Sequence, residues 1–77
     1  MKYREVIRRL RKLGVTEYPS RGKGSERILV RETFPGSRKG PMATITCHGE
    51  GKDVPEGTLR ACLRRLGINK EEFEKAD

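Results

Sequence analysis

Tryptophan is missing from this 77-residue chain, and there are only two tyrosines, two phenylalanines, two cysteines and one histidine. Each scarcity excludes something. Apolar residues make up 32% of the chain, so its core must be thin, and a chain this short has room for one domain, residues 1–77. No run approaches the roughly 18 apolar residues of a membrane span. No apolar stretch follows Met1 and Lys2 as a secretory signal requires, so a cytoplasmic protein with no membrane partner is expected. Two cysteines cannot build a disulfide framework. Zinc needs three or four ligands, and Cys47, His48 and Cys62 are the only soft candidates; neighbours on a strand, Cys47 and His48 point to opposite faces. The expectation is two buried, reduced thiols, with no metal and no other cofactor. The segment GKGS at residues 22–25 lacks P-loop spacing and reads as a turn. One histidine does not support a serine triad, and Glu50 and Asp53 fall in an exposed loop rather than forming a carboxylate pair.

What the chain has in excess is positive charge. Eighteen Lys and Arg against eleven Asp and Glu give a formal +7 and a pI near 9.9. Such a balance favours polyanions through Coulomb attraction and counterion release, and because the arginines cluster, nucleic acid is the expected partner. The alternative is an ordinary solvated surface.

Those arginines alternate with apolar residues at helical spacing. In residues 54–67, VPEGTLRACLRRLG, Leu59, Cys62, Leu63 and Leu66 fall at i, i+3, i+4 and i+7, while Arg60, Arg64 and Arg65 occupy the other sides. Pro55 suits the first helical turn and Gly67 the left-handed residue after the last. Residues 2–13 repeat the pattern, with Tyr3, Val6, Ile7, Leu10 and Leu13 as the stripe and Gly14 as the stop. Between the helices the period changes to two. Strands are expected at residues 15–18, at 27–34 (RILVRETF) and at 42–48 (MATITCH), with PGSRKGP at 35–41 as a loop. In the third strand Ala43, Ile45 and Cys47 share one side, and Met42, Thr44, Thr46 and His48 the other. Asn69 and Glu72 have capping-box spacing before a short closing helix that Phe73 pins to the core. The expected fold is α+β: two helices against one face of a three-stranded antiparallel meander, the other face open.

Of the chemistry-bearing residues, His48 stands out, because an imidazole suits general acid–base cleavage of RNA and arginines would stabilise charge building on the phosphate. Its structural alternative is a strand-end histidine bonded to a loop carbonyl. The order and spacing of the motifs resemble a family. The opening helix ending at Leu13 and Gly14, the turn Lys23-Gly24-Ser25, the strand ending in His48, and PEGTLRACLRRLGI followed by NKEEF are similar to the HicA-type (YcfA-like) mRNA interferase toxins of type II toxin–antitoxin systems. The resemblance implies a double-stranded-RNA-binding-domain-like α-β-β-β-α fold. It also implies metal-independent endoribonuclease activity on mRNA and neutralisation by a HicB-type antitoxin.

One position departs from that pattern. The family's active histidine follows the Gly-Ser turn, where this chain has Glu26. A carboxyl has an ordinary pKa near 4.3 and carries negative charge toward phosphate; it could still serve as a base if burial raised that value, whereas Lys23 and Arg27 beside it would hold it ionised. The loop PGSRKGP is longer and more basic than the family's tight turn, which suggests an extra phosphate contact through Arg38 and Lys39. The expected catalytic residues are thus Glu26 and His48, and the expected RNA-binding residues Lys23, Arg27, Arg38, Lys39, Arg60 and Arg64. Three functions compete: a cleaving toxin, an inactive RNA-binding module of the same fold, and a protein that acts only by being held by an acidic antitoxin. Strand parity is open as well. Simple alternation puts Glu26 with Ile28, Val30 and Phe34 as the core set, whereas the family register buries Leu29.

Overall fold

A computed structural model describes residues 1–19 and 25–76. Its elements follow in the order α1 (Tyr3–Lys12), β1 (Val15–Pro19), β2 (Glu26–Arg31), β3 (Met42–Thr46), α2 (Glu56–Leu66) and α3 (Lys70–Lys75). The three strands form one antiparallel sheet in the order β1-β2-β3. Tyr18 lies opposite Ile28, Ile28 opposite Thr44, and Glu26 opposite Thr46.

The helical stripes meet one face of that sheet. Val6, Leu10, Leu29 and Leu66 are at most 1% exposed, and Tyr3, Ile7, Val15, Ala43, Ile45, Val54, Cys62, Leu63, Ile68 and Phe73 join them in the core. This settles the parity of β2. Leu29 points to the helices, so Glu26, Ile28 and Val30 point away from them. Cys47 is only half-buried against the core, unlike Cys62, whose thiol burial pushes up to about 11.

The helix ends account for their backbone groups. Gly67 takes φ 71° and ψ 28° past α2, and Pro55 sits at the N-cap rather than inside the first turn. The Asn69 side chain accepts the Glu72 N–H at 2.7 Å. At α1 the loop before α2 supplies acceptors: Tyr3 N–H donates to the Lys52 carbonyl at 2.8 Å and Arg4 N–H to the Glu50 carbonyl at 3.0 Å. The Arg31 guanidinium reaches from the sheet to the Gly67 carbonyl at 2.8 Å and the Glu72 carboxylate at 3.5 Å, joining β2 to the turn between α2 and α3.

β2 ends at Arg31, three residues before the expected Phe34, and Phe34 is exposed. The reason is Glu32. Its carboxylate accepts the Thr16 and Tyr18 hydroxyls, both at 2.6 Å, and the backbone N–H groups of Arg38 at 2.8 Å and Gly36 at 3.3 Å. A carboxylate with four donors folds residues 33–40 back against the open side of the sheet at the β1 end. Val30, on that side, is 2% exposed, so this part of the face is covered. Toward the start of β2 the face is open, with Thr44 and Thr46 exposed.

The same hydroxyls, Thr16 first and then Tyr18, hold the Glu32 carboxyl down to about 2. Because the folded value lies below the ordinary one, the stabilisation is complete above about pH 4.5 and is lost as pH falls through about 2. The protection factors of the Gly36 and Arg38 amides, taken against the intrinsic exchange rate at each pH, are therefore expected to hold near neutrality and to fall across that acid window. Glu32→Ala should give the low protection factor at every pH.

Candidate functional site

Alternation along β3 sends Thr44 and Thr46 to the side away from the helices. The ladder continues one step past the strand, since Cys47 N–H donates to the Ser25 carbonyl at 2.6 Å, and this carries His48 round beside Thr46. Glu26 starts β2 opposite Thr46. Across from them, the loop tied to the α1 N-terminus holds Lys52, and the first turn of α2 supplies Thr58. Together Glu26, Thr44, Thr46, His48, Lys52 and Thr58 line an open cleft of about 320 Å³ at the β3 edge.

Beneath the cleft lies a polar cluster that faces the helices. Tyr3, 2% exposed, donates its hydroxyl to Glu17, and burial together with that bond pushes the phenol far above its ordinary range. Glu17 also lies 3.9 Å from the Arg27 guanidinium and 4.0 Å from that of Arg11.

The residues expected to act together are therefore divided. Glu26 and His48 share the cleft. Arg27, one residue on from Glu26, has the opposite facing and belongs to the Glu17 cluster, so it does not line the cleft. Arg38 and Lys39 sit in the loop that Glu32 folds, with the Arg38 guanidinium 4.6 Å from the Tyr18 ring centroid. Arg60 and Arg64 are exposed on α2, where they border a separate hollow of about 720 Å³ with Arg9, Lys70 and Phe73. The α2 stripe turns to the sheet, so these arginines must turn from it. Lys23 lies outside the described residues, as do most of the turn before Glu26.

Sequence reading missed Lys52, Thr46, Thr58 and Tyr18. Lys52 in particular reads as one more charge in a glycine-rich loop; only the backbone bonds between that loop and α1 bring it to the cleft. Among the described residues it is the only Lys or Arg lining that cleft. A carboxylate, an imidazole and an ammonium around one opening supply a proton acceptor, a proton donor and a counter-charge for an anion. Among the described residues, no three His, Cys, Asp or Glu side chains come together as metal ligands would.

A family profile, the HicA toxin of bacterial toxin–antitoxin systems, matches residues 3–68. No curated protein matches the chain closely enough to count as a relative.

The division of the arginines has a consequence for stability. Arg27→Ala leaves half-buried Glu17 with one fewer cation and should cost about 0.5–1 kcal/mol in denaturant unfolding. Arg60→Ala removes only an exposed i,i+4 pair with Glu56 and should change stability by less than about 0.5 kcal/mol.

Proposed function

The chain belongs to the HicA toxin family of bacterial toxin–antitoxin systems, and from that premise we propose that it cuts single-stranded mRNA without a metal. The observation that carries the reading is the cleft shared by Glu26 and His48. In the proposed reaction Glu26, standing where the family has histidine, takes the proton from a ribose 2′-hydroxyl. The freed oxygen attacks the adjacent phosphorus, and the bond to the 5′-oxygen breaks. His48 gives its proton to that leaving oxygen, which yields a cyclic phosphate and a 5′-hydroxyl end. Lys52 faces the non-bridging oxygens as negative charge grows on them. Exposed arginines on the helices add sequence-independent attraction for the rest of the strand, and a HicB-type antitoxin is the proposed neutralising partner.

A second reading has a specific observation in its favour, namely the carboxylate at position 26. In it the fold still binds RNA and no longer cuts it.

Gel assays on single-stranded RNA in excess chelator separate the two. The cleaving toxin predicts scission by the wild type and a loss of about 10²-fold or more in His48→Ala. An uncut substrate with the wild type, together with scission by Glu26→His, would establish the binding module instead. Under either reading RNA affinity should fall steeply with salt, and a flat dependence between low and moderate ionic strength would sink both.

A further inference from the structure

Beyond the cleft, the loop that replaces a tight β2–β3 turn builds a second feature on the sheet's outer side. The Arg38 guanidinium lies over the Tyr18 ring at 4.6 Å. Neither partner is left to chance. Tyr18 has its hydroxyl bonded to Glu32 at 2.6 Å, and the same carboxylate holds the Arg38 N–H at 2.8 Å. Arg38 is the one described non-glycine residue with positive φ, at 58°, a conformation that side chains disfavour and that this grip sustains. Arg38 and its neighbour Lys39 are exposed, and Met42 is 51% exposed on the same side of the sheet.

We infer that the Arg38–Tyr18 pair is a nucleobase-stacking subsite for single-stranded RNA, rather than the extra phosphate contact that the loop's basic composition suggests. The inference rests on the RNA reading above and adds to it a place for one base. An exposed guanidinium over an aromatic ring offers a cationic platform of the kind on which unpaired bases stack. Holding the pair rigid before binding removes an ordering cost that a mobile loop would carry.

Its position fits. Tyr18 pairs with Ile28, and Glu26 is one same-face step along β2. With strands about 5 Å apart and same-face residues about 7 Å apart, the Tyr18 and Glu26 backbones are about 8 Å apart. The Tyr18 hydroxyl reaches Glu32, so the ring leans along β1 away from Glu26, and the stacking surface lies a short stretch of single strand from the cleft, on the same outer face. A base stacked there lies close along the strand to the scissile phosphate, so the pair sets a preference at that position, strongest for purines with their larger faces.

The test compares a short oligoadenylate with an abasic ribose-phosphate oligomer of equal length and charge, read by fluorescence anisotropy. The wild type is expected to bind oligoadenylate more tightly. Arg38→Ala, Arg38→Lys and Tyr18→Ala should each weaken oligoadenylate about tenfold and leave the abasic oligomer nearly unchanged. Tyr18→Phe keeps the ring and loses only the bond to Glu32, so its loss should be smaller than that of Tyr18→Ala, and the unchanged affinity for the abasic oligomer shows that the losses are not loss of fold. Full affinity in Arg38→Lys would make the site a phosphate contact and overturn the inference. So would equal binding of the two oligomers by the wild type, which leaves the RNA reading intact. Binding of neither oligomer defeats the RNA reading itself. Release of the co-expressed antitoxin by the Arg38 and Tyr18 variants, with oligoadenylate affinity retained, would assign the surface to a protein partner and overturn it too.

Discussion

Leu29 is fully buried between the sheet and its helices, and the alternation of one short strand around it governs everything else in the molecule. Arg27 and Arg31 share its side. One joins the Glu17 cluster and the other ties β2 to the turn after α2. Glu26, Ile28, Val30 and Glu32 take the other side, where Glu26 meets the cleft and Glu32 folds down the loop. A slip of one residue would exchange these two sets, burying two carboxylates and emptying both sites at once.

The positive charge and the candidate chemistry lie on different surfaces. Arg4, Arg8, Arg11, Lys12, Arg60, Arg64 and Arg65 are exposed on the two longer helices, while among the described residues the cleft carries one lysine beside Glu26 and Asp53. This follows from amphipathicity: a helix that spends its apolar stripe on the sheet must hold its charges on the opposite side. A polyanion drawn by the helices would thus need to pass the β3 edge to reach Glu26 and His48. The cleft opens at that edge, between β3 and the start of α2.

Much of this architecture was legible beforehand, for stated reasons. The i, i+3, i+4, i+7 stripes of α1 and α2 and the Gly67 stop appear where periodicity puts them. The alternation of residues 42–46 is reproduced in their burial, and the Asn69 cap and Phe73 anchor take their expected places. These features are local, set by backbone geometry within a turn or a strand. The parity of β2 was not legible, because Ile28 and Val30 are as apolar as Leu29 and a pattern of apolar residues on both sides favours neither. The early end of β2 was equally hidden. RILVRETF looks like uninterrupted strand until Glu32 is seen to gather two hydroxyls from β1 and two amides from its own loop.

By itself the sequence determined the element order, the helix faces, the strand alternation around Ile45 and the kinship with the HicA toxins, since each is written in neighbouring residues. Only the tertiary structure decided which side of β2 meets the helices, that Arg27 turns to Glu17 while Lys52 joins Glu26 in the cleft, and that Arg38 lies on Tyr18. Those outcomes depend on contacts between residues far apart in the chain. They are chosen by which arrangement buries Leu29 and satisfies Glu32 together, a condition no short stretch of sequence contains.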